Sequence, residues 1–254
     1  MEIRCAVLFA MAHVSMLATA YADVAASVVP DGNGSEVGLT RIECVAADGL
    51  YWNKLRGAII DTGRADPTQD VILTVAHGLP SDVDALRRRC SVVGAEDERY
   101  QIVSVWRPSP RGRGSVDDWA VLLTERRLHD AVARVPALTI DHASRRRMVE
   151  GGIPVRLPLR FVGAERACRL TRMEWPGTDL GVEFFGHTCR AWSGHSGSPI
   201  LASVEGEMYI LGIHLGSQWI FEKQASLEIG RYLDVNILEA IHAAAERGQR
   251  VRSE

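Results

Sequence analysis

Gly194-His195-Ser196-Gly197-Ser198-Pro199 is the stretch that decides how this chain is interpreted, together with the apolar residues that follow it. Glycines on both sides of Ser196 allow the backbone to turn sharply and allow another molecule to approach the serine closely. Pro199-Ile200-Leu201 then predicts a strand, so the serine lies on a turn that leads into a sheet. In an α/β-hydrolase the reactive serine leads into a helix, and that fold is therefore disfavoured.

Two upstream segments supply the partners that a serine hydroxyl needs to act as a nucleophile. Thr74-Val75-Ala76-His77 places an imidazole at the end of an apolar run, and Asp118 opens the run Trp119-Ala120-Val121-Leu122. The imidazole can accept the hydroxyl proton as a general base, and a buried carboxylate can hold its tautomer. Asp117 is the alternative carboxylate. Alternation puts the two on opposite faces, so only one of them faces the histidine, and we choose Asp118.

The turn around Ser196 also offers two backbone donors. The amide N–H groups of Gly194 and Ser196 are expected to point at one spot, where negative charge develops on a carbonyl oxygen during acyl transfer. A Gly-x-Ser-Gly turn alone is weak evidence. The three segments together, in the order His, Asp, Ser, predict a nucleophilic serine with its base and its orienting carboxylate.

The rest of the chain consists largely of short apolar runs between turn residues. Several of these runs are rich in β-branched residues, which predicts an all-β protein. From Val235 to Ala245 apolar residues recur at helical spacing and predict a C-terminal helix. A polar, Arg-rich segment between the two β halves is the expected connection. We therefore predict a β-barrel over residues 40–125, a linker over residues 126–150 and a second β-barrel over residues 151–234. A helix with a C-terminal tail follows over residues 235–254.

The first residues have the composition of a secretory signal. Arg4 precedes an apolar run from Ala6 to Leu17, and Ala20-Tyr21-Ala22 supplies the small residues that a signal peptidase reads. The run is shorter than the ~20 apolar residues of a membrane-spanning helix. We therefore expect removal of residues 1–22, a flexible leader over residues 23–39, and a secreted or periplasmic mature chain without stable membrane insertion.

Charge and cysteine content narrow the partners and the compartment. A formal net charge of −3 gives no reason to expect nucleic acid as a partner, and a monomer is expected. Cys5 leaves with the signal, and the four remaining cysteines allow three pairings. Cys44–Cys90 and Cys168–Cys189 are favoured because each pair closes a loop within one half of the chain. No spacing of Cys and His suits a zinc site, so neither metal nor cofactor is expected.

The segments around His77, Asp118 and Ser196 resemble the three signatures of the chymotrypsin-like (trypsin-like, S1-type) serine peptidases. The Ser-Gly-Ser-Pro variant and the downstream Gly212-Ile213-His214-Leu215-Gly216 are nearest to the bacterial branch that includes the glutamyl endopeptidases. The resemblance extends roughly over residues 57–245. It implies two perpendicular six-stranded antiparallel β-barrels with a C-terminal α-helix. It also implies hydrolysis of polypeptide substrates through an acyl-enzyme, without a cofactor.

Two departures from the family pattern are informative. The family's cysteine after the catalytic histidine is Gly78 here, so the disulfide beside that histidine is missing and the pairing of Cys44 with Cys90 gains support. The acidic residue that precedes the nucleophile in zymogen-type members, where it captures a new N-terminus, is His195. We therefore expect activity without an N-terminal ammonium salt bridge.

By the same resemblance, four positions shape the pocket for P1, the substrate residue that precedes the cleaved bond. His214 lies on the strand that forms one wall and Arg190 lies near the floor, and both favour an acidic P1 side chain. The alternatives are a buried structural role for His214 and a solvent-exposed Arg190. Gly216 and Gly230 are expected to keep the walls open. The histidines without comparable context are interpreted as surface residues: His129, His142 and His187.

Two other functions remain open at this stage. A catalytically silent protein of the same fold would bind rather than cleave; loss of a triad residue would indicate it, and none is lost. Even so, His195 beside the nucleophile is a residue that can disturb the turn. An esterase on the same scaffold is the second alternative, since acyl-enzyme chemistry cleaves esters more readily than amides.

Overall fold

The structure is a computed structural model that describes residues 38–46, 52–63, 68–94, 97–108, 115–128, 133–158, 168–173, 183–220 and 225–250. The predicted signal (residues 1–22), most of the predicted leader and His129 lie outside these ranges. None of the helices within the described ranges is both long and apolar enough to cross a bilayer.

The first half of the chain forms a closed six-stranded barrel. Its strands are hydrogen-bonded in the order β1-β4-β5-β6-β3-β2, and pairing of β1 with β2 closes the ring. Every residue of β3 and β6 is buried, which explains their unbroken apolar sequences. The short helix α1 (Val83–Arg89) precedes β4. The strands are β1 (Leu39–Val45), β2 (Trp52–Asp61), β3 (Val71–Thr74), β4 (Cys90–Val93), β5 (Arg99–Trp106) and β6 (Ala120–Thr124).

The second half forms another six-stranded barrel. Its order is β11-β12-β13-β10-β9-β8, and a bridge between Arg156, which follows β8, and Leu201 on β11 closes it. The long β12–β13 hairpin forms one side of this barrel. The strands are β8 (Pro154–Val155), β9 (Cys168–Thr171), β10 (Phe184–His187), β11 (Pro199–Val204), β12 (Glu207–Ile220) and β13 (Ala225–Tyr232).

The segment predicted as a linker contains regular structure of its own. Strand β7 (Val135–Pro136) pairs in parallel with β2, and the next residue, Ala137, bridges to Ile210 on β12. The chain between the barrels is therefore bonded to both of them. Helix α2 (His142–Glu150) follows, and its first residue, His142, is exposed as expected.

The predicted C-terminal helix is present as α3 (Val235–Arg250). The Asp234 carboxylate accepts the Ile237 N–H at 3.0 Å and caps its first turn. Ile237 and Ile241 are buried, and the helix packs against β3, β5 and β6. The last element of the chain thus returns to the first barrel and buries its apolar face there.

Both expected disulfides are present. Cys44 and Cys90 lie directly opposite each other on β1 and β4, in the first barrel. Cys168 on β9 is bonded to Cys189, which follows β10 in the second barrel. Each crosslink therefore fastens one barrel and neither joins the two.

Candidate functional site

A cavity of about 430 Å³ lies where residues from the two barrels meet. His77 and Asp118 line it from the first barrel, and Ser196 lines it from the second. The three residues that the sequence singled out are thus brought to one cavity. The remaining lining residues all belong to the second half of the chain: Met173, Phe184, Trp192, Ser193, Gly194, His214, Leu215, Gly216, Ser217, Gln218 and Ile229.

Strand pairing brings His77 and Asp118 together. Thr74, at the end of β3, lies opposite Ala120, at the start of β6, so the residues just beyond these ends are neighbours. The His77 Nδ1–H donates to Asp118 Oδ2 at 2.7 Å, and the His77 backbone N–H donates to Asp118 Oδ1 at 2.9 Å. Asp118 has no exposed surface, whereas Asp117 is partly exposed. The carboxylate therefore fixes both the ring and the backbone of the histidine.

Ser196 lies on a turn that is seated on the first barrel. The Arg56 N–H of β2 donates to Ser196 O at 2.8 Å. Gly197 has φ +87°, and a Cβ there would collide with Arg56 O and Thr74 Oγ1, so only glycine allows this contact. The Ser196 hydroxyl donates to Leu215 O at 3.1 Å. Among the described residues, no hydrogen bond joins this hydroxyl to His77.

The residues before Ser196 form a type II turn. His195 N–H donates to Trp192 O at 3.0 Å, and Gly194 has φ +92°, the sign that this turn requires at its third residue. Within the described part of the chain, the N–H groups of Gly194 and Ser196 have no hydrogen-bond acceptor. Both donors are available to an oxygen in the cavity.

The side chain of His195 holds this turn from within. Its Nδ1 accepts the Trp192 N–H at 2.9 Å, and the two rings lie 5.3 Å apart. Burial, and next the charge of Arg56, lower the pKa of His195 from its ordinary value. The ring is therefore neutral at neutral pH, which is the state in which Nδ1 can accept a hydrogen bond.

Arg231 links the segment before Asp118 to the second half of the chain, a role that sequence patterns did not indicate. This arginine is 2% exposed. Its Nε–H donates to Val116 O at 2.6 Å, and its Nη2 donates to Asp234 Oδ2 at 2.7 Å. The buried guanidinium of Arg231 thus connects the loop before Asp118 with the start of α3.

The four predicted pocket positions divide into two pairs. His214 and Gly216 line the cavity. Arg190 does not: it is exposed, next to the buried, disulfide-bonded Cys189. Gly230 is not a lining residue either. A Cβ there would collide with the ring of Phe185, so the missing side chain makes room in the barrel core rather than in the pocket.

The prediction of His187 as a surface residue is wrong. It is 2% exposed, and its Nε2 lies 3.1 Å from His214 Nδ1. Burial lowers the pKa of His187 to about 4 and that of His214 to about 3. Both rings are therefore neutral at neutral pH, and they form a buried imidazole pair behind the cavity wall.

Two further polar residues at this wall were missed. Ser217 lines the cavity, and its hydroxyl donates to Glu228 Oε2 at 2.6 Å. Glu228 Oε2 also lies 3.8 Å from His214 Nε2. The available signal was a lone carboxylate between apolar Leu227 and Ile229. Among the residues that the structure describes, no three His, Cys, Asp or Glu side chains cluster as metal ligands would.

No protein-family model and no curated protein sequence matches this chain. Solved structures do resemble it. The protease Anisep from Arthrobacter nicotinovorans has a TM-score of 0.57 and 15% identity, over 84% of this chain and 97% of that one. A thermostable serine protease, AL20, from an extremophilic microorganism has a TM-score of 0.56 and 12% identity, over 84% and 98%. A protease of M. tuberculosis in its active form has a TM-score of 0.48 and 17% identity, over 83% and 82%. The first two likenesses, with the two barrels and α3, confirm the chymotrypsin-like fold.

Proposed function

We propose that this protein is a serine endopeptidase with Ser196 as nucleophile, His77 as general base and Asp118 as the group that orients it. The observation that carries the proposal is the 2.7 Å contact between a fully buried carboxylate and an imidazole that lines the same cavity as the serine. Proteases of the same fold are consistent with it. The alternatives of a silent binding protein and an esterase lack a comparable observation.

The reaction follows from these positions. The Ser196 hydroxyl turns from Leu215 O toward His77 Nε2, gives up its proton there, and attacks the substrate carbonyl carbon. The oxygen that becomes negative accepts hydrogen bonds from the Gly194 and Ser196 amides. His77 then passes the proton to the leaving amine, and the C–N bond breaks. Water, activated by the same imidazole, attacks the acyl-enzyme and releases the acid product.

A covalent probe tests this chemistry directly. An activated serine attacks the phosphorus of an organophosphonate probe, the probe's leaving group departs, and a phosphonyl group stays on the serine, so mass spectrometry of the wild type should show one added group on Ser196. Ser196→Ala should not react. Ser193→Ala is the matched control, because Ser193 lines the same cavity but is not the proposed nucleophile, and this variant should still be labelled. A folded wild type that stays unlabelled would support the silent binding protein instead.

We further propose that the preferred P1 residue is acidic, as the resemblance to glutamyl endopeptidases implies. With Arg190 exposed, the support now comes from the cavity itself, whose lining includes the polar side chains of His214, Ser193 and Ser217. Cleavage of a mixed peptide library at pH 5.5 should be enriched for Glu or Asp at P1. A library in which acidic P1 residues are depleted would reject this preference and leave the peptidase proposal intact.

Secretion or export to the periplasm completes the proposal. The two disulfides support it, since such bonds persist mainly in oxidising compartments.

A further inference from the structure

Glu228 places a negative charge next to the hydrogen-bond donors that an acidic P1 side chain would need. It lies on β13, opposite Ser217 of β12 and His187 of β10. Its carboxylate accepts the Ser217 hydroxyl at 2.6 Å and lies 3.8 Å from His214 Nε2. Ser217 and His214 both line the cavity, and the Glu228 side chain is 14% exposed. The carboxylate therefore lies directly behind two polar residues of the wall.

The imidazole pair places a neutral ring beside the same carboxylate. His187 Nδ1 is buried and has no hydrogen-bond partner in the part of the chain that the structure describes. A buried N–H without an acceptor is rarer than a buried acceptor without a donor. We therefore place the proton of His187 on Nε2, which donates it to His214 Nδ1. His214 then carries its own proton on Nε2, and its ring makes a hydrogen bond with the backbone of Ile229 while Nε2 lies 3.8 Å from Glu228 Oε2. The Ser217 hydrogen is thus oriented toward Glu228, and the neutral His214 ring lies beside that carboxylate.

We propose that Glu228 sets the charge of the P1 side chain that the pocket accepts, so that an acidic P1 residue binds only with a proton shared between its carboxyl group and that of Glu228. This inference rests on the proposed peptidase function. The carboxylates of Glu228 and of an acidic P1 residue cannot both stay ionised when they lie close together and share the same hydrogen-bond donors. One proton is then bound by the two carboxyl groups together. Glu228 is thereby a specificity-determining residue: it admits neutral P1 residues at any pH and acidic ones preferentially at low pH.

The surroundings of Glu228 favour proton uptake. Burial raises its pKa, and the Ser217 hydrogen bond opposes that rise in part. Among the described residues, the titratable groups that face it are His214 on β12 and, behind it, His187 on β10, and both are neutral. None of the described residues around Glu228 is a cation that would compensate a second negative charge. Binding of an ionised P1 carboxylate must therefore take up a proton, and the binding weakens as pH rises.

A pair of peptides that differ only in Glu or Gln at P1 isolates this effect, because the pH dependence of the catalytic steps that both peptides share cancels in the ratio of their kcat/KM values. In the wild type this Glu/Gln ratio should fall by about tenfold for each pH unit above the pKa of Glu228 in the free enzyme, measured between pH 5.5 and 8.5. Glu228→Gln keeps an acceptor for Ser217 and removes the charge. Its ratio should vary little with pH and exceed the wild-type ratio at pH 8 by at least about tenfold.

Glu207→Gln is the matched control, since Glu207 lies at the start of the same hairpin, is exposed, and is not among the cavity-lining residues. It should reproduce the wild-type ratio at each pH. A wild-type ratio that does not change with pH, or a Glu228→Gln ratio equal to that of wild type, overturns the inference while cleavage itself upholds the peptidase. Absence of both cleavage and phosphonate labelling overturns the peptidase function and this inference with it.

Discussion

At the scale of single residues, His195 explains how the turn before the nucleophile is held without an acidic residue. Zymogen-type members of the family that this chain resembles place an acid there, which captures an N-terminal ammonium group. Here the imidazole Nδ1 accepts the Trp192 N–H at 2.9 Å, and the His195 N–H donates to Trp192 O at 3.0 Å. The turn that presents Gly194 is thus closed by bonds within four residues. This agrees with the expectation that activity does not need a free N-terminus.

Substitution of His195 tests whether that side-chain bond matters for catalysis. In His195→Asn the amide oxygen occupies the position of Nδ1, so the acceptor is kept and the turn should stay formed. In His195→Leu the acceptor is lost and the Gly194 amide is less well oriented toward the developing oxyanion. We expect kcat to fall about 10- to 100-fold for Leu, with little change in KM, and less than about threefold for Asn. Steady-state kinetics on a peptide substrate measures both.

The fold of the two variants must be compared as well, because a general loss of structure would imitate the effect. Equal melting temperatures with unequal kcat support the local role. If the leucine variant is as active as wild type, the turn is held by its backbone alone.

At the scale of elements, the strands that sequence analysis located are those with long apolar, β-branched runs. All residues of β3 and β6 are buried, and both runs were identified, which placed His77 and Asp118 at strand ends correctly. Strand β10 is the opposite case. All four of its residues are buried, so it shows no alternation, and a histidine within it gives no sign of its burial.

Pairing between strands explains the other errors. The register of β12 shifts between His214 and Gly216, and this shift decides that Ser217, rather than a neighbour, lies opposite Glu228. A bulge of this kind depends on contacts with another strand and leaves no clear pattern in one sequence. The exposed position of Arg190 is one of the two alternatives that its distance from Ser196 left open, and sequence spacing could not choose between them.

At the scale of the whole molecule, the candidate site exists only because distant segments hold the two barrels together. Arg56 of the first barrel binds the turn at Ser196, and Arg231 of the second binds the loop before Asp118. Helix α3 then covers β3, β5 and β6. None of these contacts follows from local pattern, since each joins residues far apart in the chain. The three motifs were predictable, whereas the contacts that align them were not.

The buried imidazole pair gives the whole molecule a defined sensitivity to acid. An unfolded histidine has a pKa near 6.5, whereas burial lowers that of His187 to about 4 and that of His214 to about 3. At a pH between the folded and the unfolded pKa values, the unfolded chain binds more protons than the folded one. The free energy of unfolding is therefore fully retained above pH 6.5 and decreases as the pH falls through the unfolded value toward the folded ones.

His187→Gln tests this link between one buried ring and global stability. The glutamine amide can still donate to His214 Nδ1 but does not titrate. Between pH 7.5 and pH 5 the free energy of unfolding from urea titrations should fall by about 2 kcal/mol less in this variant than in wild type. His242→Gln is the control, because His242 is exposed on α3 and should leave the wild-type pH dependence unchanged. Parallel pH curves for His187→Gln and wild type would mean that the buried pair takes up its protons without unfolding, and the acid sensitivity would then have to originate elsewhere in the chain.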